Sequence, residues 1–172
     1  MGIIKLDRLN MTAQKVTLPM GLVVEEITLK TESAGYDSRK NTLEMSKPGV
    51  VRARVTADDL ANFLAGEFPA PLRDPKVELI PGFVLVSATA KVLIEITATA
   101  KCLLEVRNRS ELHVVLVEVD KGGPVQGLVE GQLDRINPVI KAEDFPIPVN
   151  LDTVEIGLDG IVLTGTFSGS EF

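Results

Sequence analysis

Few side chains in this sequence are of types that do chemistry, and their spacing gathers none of them into a reactive group. There is one histidine, His113, and one cysteine, Cys102. His113 stands on a segment that reads as a strand, beside Glu111 and Arg109, without a nucleophile placed for it to activate. It reads as a surface or edge residue. Cys102 falls at an apolar position of an alternating run, which predicts an inert core thiol. A single cysteine excludes an internal disulfide and a cysteine zinc cage. No G-x-S-x-G elbow, P-loop or G-x-G-x-x-G is present. The acid pairs Asp58/Asp59 and Glu143/Asp144 fit a helix start and a loop better than a metal site. Gly127 and Gly131 have G-x-x-x-G spacing on a short charged helix, which predicts close helix–sheet packing. An enzyme, a metal and a cofactor are therefore not expected. Four cations, Arg52, Arg54, Arg107 and Arg109, are candidates for meeting an anionic group; the competing reading makes them solvated strand and turn charges.

The rest of the composition narrows the class. The chain has 172 residues, 45% of them hydrophobic, but only 4% aromatic and no tryptophan. One domain spanning residues 1–172 is expected, with a core built from Val, Leu, Ile and Ala. Net charge is −6. Residues 122–172 hold two basic and eight acidic side chains, so the whole imbalance sits there. An acidic chain without a basic stripe is a poor nucleic-acid ligand, and no nucleic acid is expected as partner. No apolar run reaches the ~18 residues of a membrane-spanning helix. Met1-Gly2-Ile3-Ile4-Lys5 leads into charge rather than into the apolar core of a signal peptide.

The elements follow from period and punctuation. Residues 1–55 read as a meander of antiparallel strands: loose alternation over Ile3–Leu18 with two changes of parity, which predicts a bulge or bend; a strand at Ile27–Glu32; a polar turn at Gly35–Asn41; a short strand at Leu43–Met45 stopped by Pro48-Gly49; and another at Val51–Val55. A helix is predicted over 56–68, with Thr56 as N-cap and Asp59 at the third position of a capping-box-like arrangement. The strand Val77–Ile80 opens a long hairpin sheet over 76–120. A second helix is predicted over 124–137, with Pro124 at its first position and Asn137-Pro138 as its stop. A hairpin over 151–168 turns at Asp159-Gly160. The sum is an α+β domain in which a large curved antiparallel sheet wraps two amphipathic helices.

The long run Phe83–Arg107 carries the most information. Its even positions, from Val84 to Val106, are all apolar; most odd ones are Ser, Thr, Lys, Glu or Arg. A period of two means β structure with one buried and one wet face. A single strand of this length would span roughly 75 Å at ~3.3 Å per residue, so a reversal is predicted at Lys91–Leu93. The buried face is floored by small residues: Ala88, Ala90, Ala98, Ala100 and Cys102. Such a floor leaves space for a helix or for a ligand.

Three stretches now carry a resemblance: VTADDLANFLAGEF, the Thr- and Ala-rich hairpin, and GLVEGQLDRINPVI leading into FPIPVNLDTVEIGLDGIVLTGTF. In this order they resemble the LmeA-like phospholipid-binding family. The resemblance implies a fold similar to the tubular lipid-binding proteins, a highly curved sheet around a helix enclosing an apolar groove, and a location in the cell envelope. The leading expectation is non-enzymatic binding or transfer of phospholipid or fatty acid, with a membrane surface as a further partner. Acyl chains would lie against Leu60, Phe63, Leu64, Val86, Ala88, Ala90, Ile94, Ile96, Ala98, Ala100, Leu128, Leu133 and Ile136. Arg52, Arg54, Arg107 and Arg109 would be the headgroup candidates. The alternative is a structural or adaptor domain of the envelope whose core is filled by its own side chains.

Overall fold

The computed structural model describes residues 2–68, 70–91 and 93–171. In chain order the elements are β1 (Ile3–Leu6), β2 (Leu9–Thr17), β3 (Val23–Thr31), β4 (Ala34–Asp37), β5 (Thr42–Val55) and helix α1 (Ala57–Glu67). Next come β6 (Leu72–Ile80), β7 (Phe83–Lys91), β8 (Glu95–Arg107), β9 (Glu111–Val119) and helix α2 (Pro124–Ile136). A short β10 (Ile140–Lys141), one 3-10 turn, β11 (Asn150–Gly157) and β12 (Gly160–Glu171) close the chain. The strands form two curved antiparallel sheets, a nearly closed barrel and a half-barrel, with both helices packed against them. This is the α+β architecture that the alternation predicts, with the curved sheet divided in two.

β5 organises the first sheet. One of its edges carries β12; the other carries β4 at its start and β3 at its end. Val51, Ala53 and Val55 alternate inward and are buried, as a half-buried strand requires. Pro48-Gly49 does not stop this strand. Gly49 lies opposite Phe167 and Glu44 opposite Gly169, so the residues between them bulge out of the ladder. Proline cannot donate to a ladder, and a bulge is where a sheet tolerates it. Asp74-Pro75 is absorbed in the same way: Arg73 faces Thr89 while Lys76 faces Ser87, so β6 begins at Leu72, ahead of the expected 76. The expected polar turn Gly35–Asn41 contains most of β4, which pairs with both β1 and β5.

The second sheet is the meander β6–β7–β8–β9, with β10 at its edge. Lys91 pairs with Glu95, so the chain reverses between them. Val92, in the expected reversal, lies outside the described residues. Ala88 faces Ala98 and Val86 faces Ala100, which puts the four alanines on one side. On the other side Ser87 and Thr99 share a hydrogen bond of 2.8 Å, and Thr89 and Thr97 one of 3.0 Å. The two sheets meet along β11. The Leu151 amide donates to the Arg109 carbonyl at 2.8 Å, and the Gly82 amide donates to the Ile156 carbonyl at 3.0 Å. One hydrophobic cluster runs through both sheets and both helices.

The helices are anchored differently. In α1 the Thr56 hydroxyl accepts from the Asp59 amide at 3.1 Å and donates to its carboxylate at 2.8 Å. α2 starts at Gly123 with no side-chain cap. Its far end is held by Asn137, whose amide group accepts from the Val114 N–H and donates to the Val114 carbonyl, both at 2.8 Å. That side chain completes β9 as one extra rung would. Gly127 and Gly131 do not mark close helix–sheet packing: a Cβ at either would meet nothing within 4 Å. They stand on the exposed face and each costs about 1 kcal/mol of helix propensity relative to Ala.

A glycine at a true close approach sits elsewhere. A Cβ at Gly165 would run into the Asn150 carbonyl oxygen, across the β11–β12 ladder. Gly165→Ala should lower unfolding stability by at least about 2 kcal/mol. Gly66→Ala, in α1 with open space around it, should raise stability by about 0.5–1 kcal/mol. Urea titration of both variants checks the pair; equal effects would contradict the packing.

Candidate functional site

The alternation that builds the sheets points one apolar face of each at a shared interior. Between these faces and the helices lies a cavity of about 80 Å³. The second sheet supplies its floor from β7 (Val84, Val86, Ala88, Ala90), β8 (Ala98, Ala100, Cys102, Leu104) and β9 (Leu112, Val114). The first sheet closes it with Ala53, Val55, Ile161 and Leu163. Leu60, Leu64 and Phe68 reach in from α1 and its end, and Val125, Val129, Gln132, Leu133 and Ile136 from α2. Among the described lining side chains only Gln132 and Cys102 carry an atom other than carbon. The void lies over Ala88 facing Ala98 and Ala100 facing Val86, small pairs where larger ones would fill the space below the helices.

The structure brings Leu60, Leu64, Val86, Ala88, Ala90, Ala98, Ala100, Leu133 and Ile136 together around this space. Four expected lining residues are elsewhere. Ile94 is 69% exposed, because it lies in the reversal between β7 and β8 and belongs to neither strand. Ile96 and Leu128 are half-buried at positions off the cavity wall, and Phe63 is buried in the general core without lining the cavity. Parity would have found Val84 and Leu104, which continue the same even series. Gln132 had no apolar signal to betray it.

The arginines do not converge on the cavity. Arg52 and Arg54 alternate with Ala53 and Val55, which line it, so their side chains leave the opposite face of β5. Arg107 pairs with Glu105 at 2.7 Å. Arg109 pairs with Asp152 at 2.6 Å and reaches Thr166 at 3.3 Å, fastening β11 and β12 to the β8–β9 turn. Neither is a free cation at the cavity. His113 lies against Glu111 at 2.8 Å on the strand face away from Leu112 and Val114. Among the described residues no group of three or more His, Cys, Asp or Glu is placed to hold a metal, and no helix is long and apolar enough to cross a membrane.

Two side chains with heteroatoms mark the cavity wall. The Gln132 side-chain amide donates to the Glu67 carbonyl at 2.9 Å, tying the end of α1 to α2. Cys102 is 1% exposed, and burial pushes its thiol up to about 11 from an ordinary 9.0. The thiolate, which is the reactive form, is therefore scarce at neutral pH.

The site is thus a curved sheet closed by two helices over an apolar cavity. The sequence profile of the LmeA-like phospholipid-binding family matches residues 5–166. The chain belongs to that family, and family and fold together give it a lipid-binding role in general. No curated protein and no solved structure matches it.

Cys102 makes the wall testable through pH. A folded pKa above the unfolded one means the thiol contributes stability that is fully present below pH ~9 and lost as pH rises towards ~11, because only the unfolded chain ionises in that window. The loss should reach roughly 2–3 kcal/mol. Cys102→Ala should flatten that part of the stability curve relative to the wild type. Parallel curves from pH 8 upward would show that the thiol is not buried as described.

Proposed function

We propose that the chain is a non-enzymatic carrier that takes a phospholipid or fatty acid by its acyl chain into the cavity between the sheets and the helices. The observation behind this reading is the alanine floor under an all-but-hydrocarbon cavity. Each buried methylene contributes about 0.8 kcal/mol, so a chain of about 16 carbons contributes roughly 12 kcal/mol before ordering costs. Affinity on that scale needs no polar anchor, in keeping with arginines that point elsewhere. An empty cavity of 80 Å³ costs the protein about 2 kcal/mol at ~24 cal/mol per Å³. Filling it returns that energy.

A long acyl chain displaces several times this volume, since an apolar cavity of about 150 Å³ admits only benzene. The walls must therefore part for the lipid. α2 is the wall built to do so: pinned at Asn137, uncapped at Gly123, and carrying two glycines on its outer face. The Gln132–Glu67 hydrogen bond is the link that opening must break. The cell envelope is the compartment this function calls for.

Substitutions on the floor test the reading against a filled core. Ala98→Leu and Ala100→Leu, made singly, should weaken binding of a fluorescent fatty acid by at least about tenfold, or ~1.4 kcal/mol. The urea midpoint of lipid-free protein should barely move, because the added carbons occupy empty space. Lipid-free protein is the reference, since bound lipid raises apparent stability by mass action. Overpacking of a filled core would instead cost about 1–3 kcal/mol per site in the lipid-free state and would favour the adaptor alternative. Native mass spectrometry of gently purified protein should show co-purified lipid.

A further inference from the structure

We infer that the tip of the β7–β8 hairpin is the surface by which this protein docks on a lipid bilayer. The inference rests on the acyl-cavity reading above and supplies its point of contact with the donor membrane. Leu93 is 97% exposed and Ile94 69%, adjacent aliphatic side chains held out in water at one tip. The strands behind them lead into the cavity. Ala90, on its wall, adjoins Lys91; Leu72, also on its wall, pairs with Ala90; and the Lys91 amide donates to the Pro71 carbonyl. The unanchored end of α2 lies at the same end of the sheet, since the chain leaves β9 at Asp120, opposite Thr99.

Size selects the occupant. Two side chains fall far short of the ~800 Å² per partner that a stable protein interface buries. They suit shallow, reversible insertion among lipid headgroups, where a few aliphatic groups suffice for weak binding. Charge agrees. Glu95 is taken by Arg73 at 3.0 Å, and exposed Lys91 has no ion pair among the described residues. A lysine with a long apolar stem fits the boundary between acyl chains and anionic headgroups.

The chain has no tryptophan, so one placed at the tip is a silent-background reporter. In Leu93→Trp, vesicles of equimolar phosphatidylcholine and phosphatidylglycerol should shift the emission to the blue, and brominated phosphatidylcholine should quench it. Leu158→Trp, at the β11–β12 turn and from a residue 72% exposed, should not respond. The double variant Leu93→Asp/Ile94→Asp should take up fluorescent phospholipid from those vesicles at least about tenfold more slowly, a difference of ~1.4 kcal/mol in barrier. Its affinity for monomeric fluorescent fatty acid delivered from solution should match the wild type. An unresponsive Leu93→Trp, an equal response at position 158, or undiminished uptake by the double variant would each overturn the docking surface while leaving the cavity reading intact. A blue shift that grows with protein concentration without vesicles would assign the tip to self-association and overturn it too. Wild-type protein that binds no monomeric fatty acid would defeat the cavity reading instead; the tip is then decided by Leu93→Trp alone.

Discussion

The small side chains paired across β7 and β8 are the constraint on which the rest of this structure depends. Residues directly opposite in an antiparallel pair hold their Cβ atoms within about 5.5 Å, and here alanine faces alanine at Ala88 and Ala98 and valine faces alanine at Val86 and Ala100. The side chains at these four positions are short, so the surface between the helices and the sheet stays low there. α1 packs on β6 and α2 on β9, the strands flanking that pair, and Leu60, Leu64, Leu133 and Ile136 face the open middle. Leucines at the same four places would close it and turn the same fold into an ordinary packed core. The outer face of the hairpin, with its paired Ser and Thr hydroxyls, is ordinary for a wetted sheet. All the unusual content is on the inner one.

Much of this was legible in the sequence, because a period of two survives any tertiary context. The alternation over Phe83–Arg107 fixed which residues share a face, and Thr56 with Asp59 announced α1 down to its hydrogen bonds. The differences have separate physical causes. Pro48-Gly49 reads as a stop, but a sheet with bulges carries a proline through wherever the ladder has no bond to lose, as at Pro48 and again at Pro75. The alternation holds on both strands but does not apply inside the reversal, where Ile94 lies. The alternation of Arg52 and Arg54 with Val51, Ala53 and Val55 already sends both outward, in keeping with their reading as solvated strand charges.

Other parts of the site could not have been read from the sequence. Ala53, Val55, Ile161 and Leu163 line the cavity because β5 pairs with β12, strands more than a hundred residues apart. No local pattern announces such a partner. The role of Arg109 is similarly non-local: its carboxylate is Asp152, on a strand of the other sheet. Glycine spacing misled for the opposite reason. The interval Gly127–Gly131 resembles a packing motif, yet both positions face open space, so it records a weakness of the helix rather than a contact.

The unequal anchorage of α2 has a consequence for delivery. If the receptive conformation is a minority population, the measured dissociation constant is the intrinsic one divided by that fraction. A soft helix thus weakens apparent grip on every lipid alike, without touching the chemistry of the wall. A container whose closed form is too favourable would never surrender its contents. One whose hinge is costly to open would never fill. On the proposed carrier mechanism, the two outer glycines of α2, each lowering helix stability by about 1 kcal/mol, would set the position between these limits, and turnover would be tuned from the solvent face by substitutions that no lipid touches.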